Sequence, residues 1–144
     1  MIPPKNHVNE NERLTSLQSY SILDSLPEKD YDNLTKIASE ICGTPISLVS
    51  LLDNKRQWFK SHHGLDTSQT PKEYAFCGYT INQEDDIFIV QDARMDEHFH
   101  DNPLVVGEPR VIFYAGIPLI SDEGLPLGTL CVIDHKPKVL SEIQ

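Results

Sequence analysis

Apolar residues recur every three or four positions through the first 43 residues, then switch beyond Pro45 to short runs and alternation, so helices come first and strands follow. In NENERLTSLQSYSIL, Leu14, Leu17 and Ile22 fall near one helical face behind an acidic first turn, and the spacing predicts a helix. Ser25 and Glu28 stand at capping-box spacing with Pro27 between them, which predicts that a second helix starts there. Tyr31, Leu34, Ala38 and Ile41 would form its apolar face, Gly43 would end it in a left-handed conformation, and Pro45 prevents its resumption.

From Ile46, ISLVSLLD reads as a strand, DNKR as a turn, and RQWFKSHHG as its hairpin partner. Simple alternation in that partner puts Trp58, Lys60 and His62 on one face and Gln57, Phe59 and Ser61 on the other. The chain after Gly64 is irregular, with Pro71 as the first-turn residue of a short helix through PKEYAFCGYTI. IFIVQDA is a brief strand, Asp92 caps a short helix in DARMDEHF, and HDNPLVVGEP is loop. RVIFYAGIPLIS and PLGTLCVID, joined by DEGL, form the strongest hairpin signal and the central strands. Ser141 could cap a further helix, so residues 138–144 read as the start of a truncated signalling helix. This order predicts an α+β fold, one domain over residues 1–144 around a five- or six-stranded antiparallel sheet.

Charge narrows the partners. Twelve Lys and Arg oppose 22 Asp and Glu, and a net charge of −10 repels phosphate backbones and anionic lipid headgroups, which argues against nucleic acid and membrane surfaces. ISLVSLL and VIFYAGIPLI are far short of the roughly 20 residues that cross a bilayer, and MIPPKNHVNENER lacks the apolar centre of a secretory signal. A cytoplasmic location without a membrane span is expected. Cys42, Cys77 and Cys131, odd in number and widely spaced, suit reduced thiols, and without a CxxC pair there is no scaffold for structural zinc.

The phrases RLTSLQSYSILDSLPE, CGTPISLVSLLD, RQWFKS followed by GLD, AFCGYTI, the VQDAR to HDNPLV region, FYAGIPL and LGTLCVID occur together and in order, and in this the chain resembles a GAF domain, a sensor module of bacterial signalling proteins. The resemblance implies terminal helices on one face of the sheet and irregular insertions that close a small pocket on the other. It implies a pocket that takes a small molecule, or in many members nothing identified. It also implies a homodimer through the terminal helices and control of a histidine kinase or diguanylate cyclase further along the chain.

The chemistry-bearing residues are sparse. Cys77 could be a catalytic thiol of the free methionine sulfoxide reductase kind, a bilin anchor, or a small apolar wall residue. Gly78 stands where bilin carriers usually have histidine, which argues against covalent bilin and leaves the wall reading favoured. Asp92, Asp96, His98, His100 and Asp101 crowd ten residues but sit on loop, so a solvated turn is preferred to a metal site, with His98 kept as a ligand donor. No axial histidine in an apolar cleft marks haem, and the NKFDE signature of nucleotide-binding members is not recognisable. The candidate pocket residues are therefore Trp58, Tyr74, Phe76, Cys77, Asp92, His98, Phe99, Phe113 and Tyr114, with the tyrosines favoured because a buried hydroxyl needs a partner. No nucleophile, base and oxyanion set assembles, so no catalytic or metal residue is assigned and no enzyme activity is expected of this segment. The function expected is sensory, with a thiol reductase using Cys77, or a dimerisation module without ligand, as alternatives.

Overall fold

A computed structural model describes residues 1–83 and 86–144. Helix α1 spans Glu10–Ser19 and α2 Lys29–Cys42, followed by strands β1 (Ile46–Leu52), β2 (Arg56–His63) and β3 (Gln69–Pro71). A 3-10 turn at Lys72–Tyr74 leads to α3 (Cys77–Thr80), β4 (Phe88–Val90), a second 3-10 turn at Ala93–Met95 and α4 (Pro103–Val106), and the chain returns through β5 (Phe113–Ile120) and β6 (Pro126–Asp134). One six-stranded sheet runs in the order β3-β2-β1-β6-β5-β4 with every neighbouring pair antiparallel. The α+β fold and the antiparallel sheet follow the sequence reading.

Every residue of β1 is buried, and all of β6 except Leu130. An antiparallel sheet commonly leaves one face to water; here both faces of its centre are covered. Gly128 is required where β6 crosses β1, because a Cβ there would stand 1.9 Å from the Ser50 carbonyl oxygen.

The β1–β2 register shifts between Val49 and Ser50, so that Val49 faces Ser61, Ser50 faces Phe59, and Lys60 is the extra residue of a bulge. The bulge breaks the alternation expected along β2. Phe59 joins the core on the insertion side, whereas Ser61 bonds Thr35 Oγ1 of α2 at 2.9 Å. Lys60 is buried, and its Nζ donates to Ser25 Oγ at 2.7 Å and to the Leu26 carbonyl at 2.6 Å while pairing with Glu28 Oε2 at 2.6 Å.

That ammonium explains why α2 does not start at the expected capping box. Ser25 and Glu28 are both engaged by Lys60, Glu28 becomes the N-cap without a side-chain cap bond, and Pro27 lies outside the helix. The inward face also differs. Thr35, Ser39 and Cys42 are buried against the sheet, while Leu34, Ile37 and Ile41 are 50%, 52% and 53% exposed. Small side chains let α2 lie close to β1 and β2, and that fit outranks the apolar stripe.

Pro71 ends β3 opposite Arg56, a place open to proline because β3 is an edge strand, and is the N-cap of the Lys72–Tyr74 3-10 turn, so the short helix expected through PKEYAFCGYTI is split into that turn and α3. HDNPLVVGEP holds α4, which Asn102 caps through the Leu104 N–H at 2.9 Å with Pro103 in the first turn. Residues 137–144 form no helix, but Ser141 and Gln144 make the reciprocal bonds of a capping box: the Gln144 N–H to Ser141 Oγ at 3.4 Å and the Ser141 N–H to Gln144 Oε1 at 2.9 Å.

In α1, Arg13 rather than Leu14 is fully buried beside Leu17. Its guanidinium donates to both carboxylate oxygens of Glu10 at 2.8 and 2.9 Å and to the Leu52 carbonyl at 2.7 Å, with the Pro126 and Leu127 carbonyls at 3.4 and 3.5 Å. Lys72 Nζ reaches the same Glu10 carboxylate at 2.9 Å. Burial pushes the Glu10 carboxyl up, but hydrogen bonds from Arg13 and Lys72 outweigh it and hold it below its ordinary value.

Truncating Arg13 to alanine leaves Glu10 half-paired and strand-end carbonyls bare, and urea unfolding should report a loss of about 3–5 kcal/mol. Because the folded Glu10 value is depressed, its stabilisation is present at neutral pH and disappears as pH falls through that value. Glu10→Gln should therefore flatten the acid side of a stability–pH curve measured by the same unfolding assay.

Candidate ligand-binding site

The face of the sheet away from α1 and α2 is covered by the irregular segments. Phe76 and Phe99 stack with ring centroids 4.1 Å apart, and Tyr114 lies 5.2 Å from Phe76. These rings close over Leu48, Phe59, Cys131 and Ile133 of the sheet in one continuous core. Its packing is incomplete, leaving a cavity of about 250 Å³ whose floor is Leu48, Phe59, Tyr114, Cys131 and Ile133 and whose walls include Leu65, Phe76, Leu104 and Val111. Thr67 and Glu108, both exposed, mark its mouth.

Tyr114 shapes the floor. Its ring runs back over Gly116, where a Cβ would meet Oη at 2.5 Å and Cζ at 2.9 Å. The hydroxyl bonds Thr80 Oγ1 of α3 at 3.0 Å, and burial holds its pKa well above the ordinary tyrosine value. The ring is thus tied to the lid, and the space beside it stays open. One polar group, Gln57, enters from β2; it is 6% exposed, and its Nε2 donates to Thr70 Oγ1 at 2.9 Å.

Of the residues singled out in the sequence, Phe76 and Tyr114 line this cavity. Phe99 backs Phe76 without lining it. Tyr74 is half-buried outside, where its carbonyl accepts from Asn102 Nδ2 at 3.1 Å and joins the lid segments. Cys77 is fully buried in a separate cluster with Leu52, Ala75 and Ile81, a small apolar packing residue. Trp58 packs with Leu17, Leu51 and Leu127, and Phe113 with Cys42, Ala115 and Val132; both lie on the α1–α2 face, since strand alternation points them away from Phe59 and Tyr114. Asp92 caps its 3-10 turn and pairs with Arg94 at 2.8 Å, and that side-chain bond holds its carboxyl low. His98 stands edge-on to Tyr79 at 5.5 Å, on the outer side of the lid.

Sequence reasoning missed Leu48, Gln57, Thr70, Glu108 and Cys131 as lining residues. For Gln57 and Phe59 the signal was present, because they share the strand face opposite Trp58. Nothing local marks Glu108.

The thiols are poor nucleophiles. Burial pushes Cys77 and Cys131 each up to about 12, so neither supplies thiolate at neutral pH. Among the described residues no three His, Cys, Asp or Glu side chains converge as a metal would need. A larger groove of about 420 Å³ beside β2 is lined by Ser25, Asp32, Lys60 and His62 together with Trp58 and Phe59, but its lysine is already neutralised by Glu28 and its wall mixes polar and apolar groups in near-equal parts. The smaller, apolar cavity is the better small-molecule site.

Residues 27–144 match the family described as "GAF domain". The chain is 42% identical over 138 residues to a cyclic di-GMP phosphodiesterase of Pseudomonas aeruginosa, a match that covers 96% of this chain and spans only 23% of that relative. Among solved structures it resembles the GAF domains of phosphoenolpyruvate-protein phosphotransferases from Coxiella burnetii (TM-score 0.64, 16% identity, 94% of this chain and 84% of that one) and Acinetobacter (0.62, 20%, 92% and 82%). It also resembles a type II free methionine-R-sulfoxide reductase from Thermoplasma acidophilum (0.61, 12%, 88% and 82%). At these identities the structural likeness concerns the fold alone.

Gly116→Ala should drive the Tyr114 ring off its seat and lower stability by roughly 1–3 kcal/mol in thermal or urea unfolding. Native-state labelling of Cys77 and Cys131 by a thiol reagent at neutral pH should be no faster than unfolding; a rapid, stoichiometric reaction at Cys77 would restore the reductase reading.

Proposed function

Since this chain belongs to the GAF domain family, we propose that it is a non-catalytic sensory domain that takes a small molecule into the cavity beside Tyr114 and controls an effector elsewhere in its protein. The observation that carries this reading is how the cavity connects to α1. Thr70 and Phe76 both line the cavity and bracket the Lys72–Tyr74 turn, whose Lys72 holds the Glu10 carboxylate that in turn holds Arg13. A ligand wedged between Thr70 and Phe76 moves Lys72, and Lys72 is bonded to the first turn of α1. Occupancy then biases a pre-existing equilibrium in how α1 packs on the sheet.

The effector is a separate matter from the sensor. A histidine kinase or diguanylate cyclase fits the general role, but the relative named a cyclic di-GMP phosphodiesterase supports an effector that handles that second messenger. Because this chain spans 23% of that relative, the catalytic part is a proposal for sequence outside these 144 residues. No helix among the described residues is long and apolar enough to cross a membrane, which is compatible with the cytoplasmic location proposed here.

The outward stripe Leu34, Ile37 and Ile41 on α2 supports a homodimer, because three large apolar side chains on consecutive turns of one face are better covered than wet. This departs from a dimer through the terminal helices alone, since α2 contributes the stripe. Ile37→Asp with Ile41→Asp should convert a dimer to monomer in analytical ultracentrifugation without changing the unfolding midpoint of the monomer by more than about 0.5 kcal/mol.

Native mass spectrometry of the purified chain tests the sensory reading. It should detect a retained small molecule that is missing from the cavity-filling variant Val111→Trp. Bare protein in both, together with an effector that responds normally in the full-length Val111→Trp protein, would leave only the ligand-free dimerisation reading.

A further inference from the structure

The cavity's polar groups select its ligand by charge. Among the described residues no Lys, Arg or His side chain lines it; the polar groups it offers are the Gln57 carboxamide, two threonine hydroxyls and, at the mouth, the Glu108 carboxylate. Gln57 Nε2 donates one of its two N–H groups to Thr70 Oγ1, and among the described residues no protein group donates to its Oε1. On a side chain 6% exposed that lines an apolar hollow, that oxygen is an acceptor a ligand's donor can take in place of water. Phe59, Phe76 and Tyr114 meanwhile bring three aromatic rings to the lining, which favour an aromatic ligand and tolerate a cation.

An anionic ligand finds no countercharge here among the described residues. Its charge would enter past Glu108, lose its water, and among the described residues meet no cationic lining side chain, only threonine hydroxyls and the second Gln57 N–H, inside a chain whose net charge is already −10. Resting on the sensory reading above, we infer that the cavity binds a small aromatic amine, with the ring between Phe59, Phe76 and Tyr114, an N–H donating to Gln57 Oε1 and an ammonium group near Glu108. A volume of about 250 Å³ suits one or two fused rings with a short side arm and is smaller than most drug-sized pockets. It follows that nucleotide phosphates, including those of the second messenger handled by the relative, are not what this cavity senses.

Three probes that share a ring and differ in charge test this by isothermal calorimetry on the 144-residue chain: tryptamine, indole and indole-3-acetate. Tryptamine should bind at least about tenfold more tightly than indole-3-acetate, equivalent to about 1.4 kcal/mol. Glu108→Gln should collapse that ratio while leaving indole unchanged, and Val111→Trp should abolish binding of all three. If indole-3-acetate binds as well as tryptamine, or the ratio survives Glu108→Gln, the amine class is overturned and the cavity remains a binding site of another chemistry. If tryptamine binds undiminished to Val111→Trp, its site is elsewhere and the inference is overturned. Failure of all three probes at millimolar concentration overturns it too, and the native mass spectrum of wild type against Val111→Trp then decides independently whether the sensory reading falls with it.

Discussion

Burial of the two central strands on both faces is the constraint from which the rest of this structure follows. β1 and β6 carry apolar residues on each side of the sheet, so neither face can be left to water. Helices α1 and α2 cover one side. The other is covered by the segments between β3 and β5, whose described residues contain a three-residue strand, two four-residue helices and two 3-10 turns. Regular helices pack to a continuous contact, whereas short, bent segments meet a sheet at a few rings. The hollow beside Tyr114 is what that second, irregular layer leaves unfilled.

Two buried cations hold the layers in register. Arg13 gathers carbonyls from the ends of β1 and β6 into one ion cluster with Glu10, and Lys72 brings the lid segment to the same carboxylate. Lys60, turned inward by the bulge in β2, does the same for the connection between α1 and α2 through Ser25, Leu26 and Glu28. Buried ion pairs are often no more stabilising than apolar packing. Their value lies in geometry, because a charge with several fixed acceptors accepts few arrangements. In this molecule that geometry joins the lid segment to α1 through one charge-assisted bond, Lys72 to Glu10, and ties Glu10 to Arg13 within the helix.

The same arrangement buries the thiols. Cys77 packs in a dry cluster beside Leu52 and Ile81, and Cys131 sits in the cavity floor, both far from the ionised state that thiol chemistry needs. A shared backbone by itself fixes neither redox catalysis nor recognition. Here polarity within reach of the cavity comes from Gln57, Thr70 and Glu108, an amide, a hydroxyl and a carboxylate, with no cationic side chain among the described residues.

Local sequence determined the α+β class, the β1–β2 and β5–β6 hairpins, the Asp92 cap and the family, because turn residues and hydrophobic period act over a few positions. It also placed Phe76 and Tyr114 near the hollow, and set Gln57 and Phe59 on the strand face opposite Trp58. Tertiary structure alone decided which way α2 faces, since close approach of Thr35, Ser39 and Cys42 to the sheet outweighed the stripe of Leu34, Ile37 and Ile41. It alone moved the start of α2, because the competitor for Ser25 and Glu28 is Lys60, more than 30 residues away. The bulge that turns Lys60 inward depends on the partner strand, and the position of Glu108 at the mouth depends on how α4 docks. Those are contacts between residues distant in sequence, where no local period carries a signal.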